Sequence, residues 1–396
     1  MKIATSWSTE DDARCVARLY AQIREQLGSR PDLLVLHCAA PYDVEAVVRT
    51  LRDCAPDVPL HGGTSCLGVM TEEGFHSENG RGMGLLGLSD PDGAYGVGAA
   101  ELGDDPATAA ERALRQALAQ AGAPGETPAM VWMTAAPGNE ETLIASIAAT
   151  VGDNVPIAGG SAADNTVSGD WSQFANGRVY DNAVVVTAMF PSSEVFFAFH
   201  SGYEPTDKKG RVTAAQGREL QQIDGRPAAG VYNEWTGGLV DDVLPGGGNI
   251  LSRASLHPLG RVAGEVGGVP YYQLSHPNTV TATGALTLFT AVENGDEVVL
   301  MQGTEESLIS RVGRVASSTL GTYAARPEDV AGALIIYCAG CMLSIQDHRE
   351  EIVAHLREAL PGIPFLGAFT FGEQGCFAGG ENRHGNLMIS VLLFSR

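Results

Sequence analysis

The sequence predicts an α/β protein of two domains built from repeated βαβ-type units with mixed sheets. Three observations carry that expectation. A buried-strand pattern, a helical stretch and a second short apolar run recur three times along 396 residues. The helical stretches place apolar residues on one face. The composition, 44% hydrophobic and 18% charged, supplies material for cores and shows no signature of disorder.

The first unit opens with the apolar run of residues 33–41. Val44, Val47, Val48 and Leu51 then fall at i, i+3, i+4 and i+7, one stripe of a helix, before residues 58–65, which include Pro59-Leu60-His61-Gly62-Gly63-Thr64-Ser65. The second unit reads 130–137, a helix with Leu143, Ile147 and Val151 behind an Asn139 N-cap, and 155–161. The third reads 334–341, a helix with Ile345, Ile352, Leu356 and Leu360, and 363–369. Each unit closes with a turn (Asn79-Gly80-Arg81, Asn176-Gly177-Arg178, Glu381-Asn382-Arg383) and a final apolar run at 83–88, 183–190 and 387–394. A repeat of about sixty residues is too long for a solenoid and fits duplicated α/β structure.

Between the first two units Asp105-Pro106 starts and Gly122 ends a helix with Ala110, Leu114 and Leu118 on one face. Residues 211–322 differ in character. Helices are expected at 213–223, 227–235 and 305–318, strands at 271–274, 280–289 and 297–301, and a glycine-rich loop at 241–250. The polar stretch 204–210 marks a boundary, giving an N-terminal domain of residues 1–209 with two units and a C-terminal domain of 210–396 with the third.

Charge excludes some function classes. Against 47 Asp+Glu stand 25 Lys+Arg, a net charge of −22, which disfavours nucleic acid as a partner. The N-terminus runs into Glu10-Asp11-Asp12 instead of an apolar leader, and the longest apolar runs are strand-sized, so no membrane insertion is expected. Seven cysteines without a framework pattern point to a cytoplasmic chain.

Several places resemble the FIST family, in which a FIST N domain precedes a FIST C domain. Residues 59–66 are similar to the family's glycine-serine element. Gly202-Tyr203-Glu204-Pro205, with Ile223-Asp224-Gly225-Arg226-Pro227-Ala228 beyond it, resembles the junction between the domains. Gly367-Ala368-Phe369-Thr370-Phe371-Gly372-Glu373 with His384-Gly385-Asn386 resembles the C domain's most recognisable stretch. The resemblance implies a sensory module that binds a small ligand, with amino acids the general proposal. A subset of the family are haem proteins that sense nitric oxide and modulate a partner histidine kinase. Residues 337–342 and 370–375 look closer to that subset. No kinase, receiver or DNA-binding segment is read in the sequence, so output is expected through a partner.

The candidate ligand-binding residues are His61, Thr64, Ser65, Cys66, Cys338, Cys341 and Glu373. Cys338 and Cys341 form a C-x-x-C between a strand and a helix, open to packing, ligand-site and redox readings. The Gly62-Gly63-Thr64-Ser65-Cys66 segment reads either as a tight turn or as a wall offering N–H groups and hydroxyls to an anion. His61 stands where the other units have Ala158 and Leu366, which fits ligand contact or surface exposure equally. Glu373 is placed by the resemblance on the element facing the pocket, the alternative being a solvated turn acid. Haem needs an axial ligand, usually histidine. Of nine histidines, His348 and His355 lie about 10 Å apart along one helix and cannot share a metal. His257-Pro258 and His276-Pro277 are the candidate axial ligands, with ordinary turn histidines as the alternative reading. No G-x-S-x-G, H-E-x-x-H or P-loop is present. The expected function is therefore sensory, non-enzymatic binding. The alternative is a thiol-dependent enzyme or redox protein using Cys338/Cys341 or Cys66, and a structural adaptor without a selective ligand stands third.

Overall fold

A computed structural model describes residues 1–266 and 268–396. Its first unit runs β1 (Lys2–Ser8), α1 (Cys15–Leu27), β2 (Leu33–Ala39), α2 (Val44–Cys54) and β3 (Leu60–Ser65). A hairpin of β4 (Val69–Thr71) and β5 (Gly74–His76) follows, then β6 (Met83–Ser89). The second unit repeats this order: β7 (Ala94–Glu101), α3 (Pro106–Gln120), β8 (Met130–Ala135), α4 (Glu140–Val151), β9 (Ile157–Ser161), the hairpin β10 (Gln173–Ala175) and β11 (Arg178–Tyr180), and β12 (Ala183–Phe190).

The third unit starts at β13 (Val195–His200) and is interrupted by a long insertion. This contains β14 (Glu204–Gln216), β15 (Glu219–Ile223), β16 (Arg226–Pro227), α5 (Ala228–Trp235), β17 (Gly248–Asn249) and α6 (Leu251–Ala254). It continues with β18 (Leu259–Val266), β19 (Val269–Ser275), β20 (Pro277–Val280), β21 (Leu286–Leu288) and β22 (Glu297–Gln302). The unit then resumes with α7 (Glu305–Thr322), β23 (Val330–Cys338), α8 (Ala339–Ser344), α9 (Arg349–Ala359) and β24 (Phe365–Thr370). The hairpin β25 (Glu373–Cys376) and β26 (Asn382–Gly385) precedes β27 (Ile389–Ser395).

The three units build three six-stranded mixed sheets of the same design, ordered β1-β6-β2-β3-β10-β11, β7-β12-β8-β9-β25-β26 and β13-β27-β23-β24-β4-β5. In each, one parallel pair (β2–β3, β8–β9, β23–β24) is flanked by antiparallel neighbours. The hairpins are exchanged cyclically: the first unit's completes the third sheet, the second's the first, and the third's the second.

Burial explains why the strands read as unbroken apolar runs. Leu33 and Val35 of β2 join a shared core with Trp132, Val185, Ile336 and Phe394 from the other sheets, while Leu34 and Leu36 pack under α1 and α2. Strands covered on both faces need no polar alternation. The helix stripes fall as expected, with Val47, Val48 and Leu51 of α2 and Leu143 and Ile147 of α4 buried. Asp43 and Asp105 cap α2 and α3 by accepting from Ala46 N–H and Thr108 N–H, and Thr304 with Ser307 forms a capping box on α7.

Five local expectations are corrected. Residues 213–223 form not a helix but a hairpin of the end of β14 and β15, because Gly217 takes φ +57° at the turn between the two strands. Residues 280–289 are split into β20 and β21 by a turn containing Gly284 at φ +79°. Asn139 occupies the N-cap of α4 without a side-chain bond; Glu140 accepts from Gly138 N–H instead. Ile345 precedes α9 and lies outside its stripe. Asn79 and Asn176 take the left-handed turn conformation, but Asn382 lies in β26, accepting from Ile157 N–H and donating to Val155 C=O across the exchanged sheet.

The insertion forms its own nine-stranded sheet around Val212, Leu220, Tyr232 and Leu286. The third unit's first strand ends at His200, ahead of residue 209, and β14 crosses 204–216. No helix among the described residues is long and apolar enough to cross a membrane.

Candidate functional site

A cavity of about 650 Å³ opens where the insertion meets the second and third units. Pro137, Glu140 and Trp171 come from the second unit. Cys338, Leu343, Thr370, Phe371 and Asn386 come from the third, and Arg218, Leu251, His257, His276 and Phe289 from the insertion. Its lining is mainly apolar with a few fixed polar groups, the usual make-up of a small-molecule site.

Glu140, at the start of α4, is fully buried and accepts hydrogen bonds from Ser161 Oγ at 2.8 Å and Arg218 Nη2 at 2.7 Å. Arg218 also donates to Glu141 at 2.6 Å. Burial alone would raise the Glu140 pKa, but His384 and Arg218 overcome it and hold the carboxylate down to about 2. Asn386 is 2% exposed, and its Oδ1 has no hydrogen-bond partner. A buried acceptor left unpaired on a cavity wall calls for a donor in the cavity.

The histidines of the insertion do meet here. His276 is buried, with Nε2 2.8 Å from the Leu251 carbonyl. Burial lowers its pKa to about 4, with the Leu251 bond opposing, so the ring is neutral and Nδ1 keeps its lone pair. A Cβ on Gly340 would lie 3.8 Å from His276 Nδ1 and 3.7 Å from Cys338 Sγ, so the missing side chain leaves the space between them open. His257 is half-buried on the same wall, its pKa lowered by burial.

Behind Cys338 lies a second polar cluster. Arg311 of α7 is 1% exposed; its Nη1 donates to the Ser201 and Leu387 carbonyls at 2.8 Å each, while Nε and Nη2 have no hydrogen-bond partner. Its guanidinium carbon sits 4.7 Å from the Tyr337 ring centroid and 5.6 Å from that of Tyr203. Cys341 Sγ is 3.5 Å from Tyr203 Oη. Glu373 is fully buried, accepting from Met388 N–H at 2.9 Å and Thr370 Oγ at 3.2 Å, and burial pushes its pKa well above the carboxylate range. It is thus neither a solvated acid nor on the cavity surface.

The first unit's candidates lie elsewhere. His61 is buried in β3 with Nδ1 and Nε2 each 2.8 Å from a threonine hydroxyl, Thr187 and Thr134, and burial drives its pKa well below 6.5. Surface exposure is therefore excluded. Thr64 Oγ accepts from Ser172 N–H at 3.0 Å, and Ser65 Oγ donates to the Gly68 carbonyl at 2.6 Å and accepts from Phe369 N–H at 2.8 Å. Burial raises the Cys66 thiol to about 12, and Cys66 N–H donates to the Phe369 carbonyl. Gly62 and Gly63 are strand residues, not a turn. A Cβ on Gly62 would strike the Phe174 ring at 2.1 Å, so the glycine admits the exchanged hairpin. Of the expected residues, the structure brings Cys338, His257 and His276 to one cavity, sets Cys341 and Glu373 behind its wall, and keeps His61, Thr64, Ser65 and Cys66 in the seams between units.

Four residues of consequence escaped the sequence reading. Arg218 was hidden in the misassigned helix, and Glu140, next to the Asn139 N-cap, was not singled out. Asn386 sat inside a quoted motif without being singled out. Arg311 gave a legible signal, a charge on the apolar stripe of Leu308, Val312 and Val315.

Comparison with known proteins agrees with this architecture. Residues 32–226 match the FIST N domain and residues 228–376 the FIST C domain. The chain belongs to the FIST family. FIST domains are sensory, small-ligand-binding domains of signalling proteins. The two matches meet inside the insertion, at β16 and the start of α5. The uncharacterized protein MJ1623 of Methanocaldococcus jannaschii is 35% identical to this FIST protein over 80 residues, 20% of this chain and 16% of that protein. Among solved structures, cyanuric acid hydrolase from A. caulinodans aligns over 100% of this chain and 99% of its own, with a TM-score of 0.40 and 9% identity. T. maritima PurL complexed with ATP aligns over 76% and 71%, with a TM-score of 0.23 and 10% identity. No chemistry is carried over from these remote likenesses.

Proposed function

We propose that the chain is a sensor that takes an amino-acid-like ligand into the cavity between the insertion and the second and third units, and signals through a partner histidine kinase. The observation that carries the ligand site is the unpaired, buried Oδ1 of Asn386, a residue of the mainly apolar cavity wall. It would accept from the ligand's N–H, with the Arg218–Glu140 pair nearby to answer opposite charges. Trp171, Phe289 and Phe371 would cover an apolar side chain. The kinase follows from the family resemblance alone. A thermal-shift screen of the full chain against the twenty amino acids tests the ligand class. At least one is expected to raise Tm saturably, by mass action on the folded state; a flat response to all twenty would sink the amino-acid reading.

A second reading, haem for nitric oxide sensing, is favoured by the presence of both His257 and His276 in the one cavity. The donor set fits: His276 Nδ1 has its lone pair available, and the Leu251 carbonyl fixes the ring through Nε2. Bound haem would supply an iron able to take a diatomic gas. His276 and His257 would hold it, and Phe289, Leu343 and Phe371 would keep water from its face. Haemin titration should then give a saturable Soret band that is lost in H276A or H257A. Non-saturable absorbance would remove the haem branch and leave the small-ligand sensor standing. Thiol-dependent catalysis has no comparable support, because a catalytic thiol needs an accessible thiolate, and burial raises both Cys66 and Cys338.

A further inference from the structure

We propose that a second cavity, between α7, β13 and the turn joining β25 to β26, binds a small aromatic carboxylate. This cavity measures about 530 Å³, within the range of small-molecule sites, and among the described residues it shares no lining residue with the first. Phe197 of β13, Tyr323 at the end of α7 and Phe377 of the turn give it aromatic walls, and His200, Arg311 and Arg314 line it as well. Its assignment does not depend on which ligand the first cavity takes.

The charge of the lining sets the sign of the ligand. The chain carries a net charge of −22, yet among the described residues no Asp or Glu lines this cavity and two arginines do. Arg311 and Arg314 stand three apart on α7, which sets them on one face of the helix. Their hydrogen bonds all go to neutral groups: Arg311 to the Ser201 and Leu387 carbonyls, Arg314 to the Ser310 hydroxyl and the Ser307 carbonyl. Arg311 Nε and Nη2 make none. The Tyr203 and Tyr337 rings beside its guanidinium answer part of the charge, and Glu373 spends its two oxygens on Met388 N–H and Thr370 Oγ. A buried cation with no counter-ion in contact is costly, and an anion in the adjoining cavity lowers that cost.

The donors suit a carboxylate. Arg314 is exposed and free to turn its guanidinium onto one. His200 Nδ1 accepts from Gly202 N–H at 3.0 Å, which leaves the proton of the neutral ring on Nε2 as a further donor. The body of the ligand follows from the rings. Tyr323 is 37% exposed, one of few large apolar side chains left at the surface among the described residues, and packs against Phe196 at 4.8 Å between centroids. A flat aromatic ligand covers it and gains ring contacts. A hydrated dianion such as inorganic phosphate would instead meet aromatic carbon where it needs water, so the anion must carry its own apolar body.

Calorimetric titration of the full chain with 4-phenylbutyrate and its neutral amide tests the sign, and photolabelling with 4-benzoylbenzoate tests the place. The acid should bind saturably and the amide about tenfold more weakly. The label should fall on residues 197–200, 318–323 or 376–380 and be displaced by phenylbutyrate. R314Q should weaken the acid about tenfold and leave the amide unchanged, and S318W should block both ligands by filling the cavity. Ser318 and Arg314 are exposed, so both variants are expected to fold. R311M should also abolish the preference for the acid; should it fail to fold, R314Q and the label still decide. Equal affinity for acid and amide, a label confined to the first cavity, or no binding of either acid would overturn the proposal.

Discussion

His61 and Asn386 are both buried polar residues in seams between repeated units, yet they differ in one respect. Both His61 nitrogens meet threonine hydroxyls of the second unit, and His61 does not line the cavity of about 650 Å³ described above. Asn386 leaves Oδ1 unpaired where a cavity of about 650 Å³ begins. A satisfied polar group inside a protein specifies how its parts fit, whereas an unsatisfied one beside space marks where something else belongs. The His61 seam is thus a fastening between the first and second units, and the Asn386 seam is the one we propose as the receptor. The long insertion that only the third unit carries is what turns that seam into a cavity.

The comparison can be broken most sharply at His61. His61→Ala strands Thr134 and Thr187 and opens a void, and should cost about 3 kcal/mol in urea unfolding. Ligand-induced Tm shifts should persist in whatever protein folds; their loss would place His61 in the receptor.

Glu140→Gln should cost about 2 kcal/mol at pH 7, less than removal of a buried charge outright because Arg218 retains Glu141. The Glu140 pKa is depressed in the folded state, so its contribution is fully present above the ordinary 4.5 and lost as pH falls through about 2. Unfolding curves of wild type and E140Q should therefore converge from pH 4.5 toward pH 2. A gap that stays constant would show that the carboxylate is not the stabilising species.

Asn386→Leu removes an acceptor that nothing satisfies, so stability should change by about 1 kcal/mol or less, and in the stabilising direction. Ligand-induced shifts should vanish together with that neutrality. The smallest effect is expected at Gly340→Ala. The added methyl meets Cys338 and His276 at ordinary contact distance, and the helix gains about 0.5 kcal/mol. Haemin or amino-acid affinity should nevertheless fall, because the gap between the two side chains is filled.

Legibility in the sequence followed the same division. The repeat, its apolar strands and the helix stripes could be read because both faces of each sheet are buried and 3.6-residue periodicity survives in the helices. The first strand and helix of each unit were not seen as part of the repeat, and the hairpin exchange left no local mark: Gly62 admits Phe174 from 112 residues away. That distance also explains His61, whose partners lie 73 and 126 residues off. In the site, His257, His276 and Cys338 were named from their types and neighbours. Asn386, Glu140 and Arg218 were not, because an unpaired amide or a buried ion pair is a property of assembled elements.

The most direct measurement uses Trp171 as a reporter in the cavity. Tryptophan emission of wild type, N386L and W171F would be followed while each of the twenty amino acids and haemin are titrated in turn. A saturable change with at least one ligand in wild type, absent in W171F and strongly weakened in N386L, is the predicted result. No saturable change with any ligand, or an undiminished one in N386L, would contradict the assignment of this cavity as the receptor.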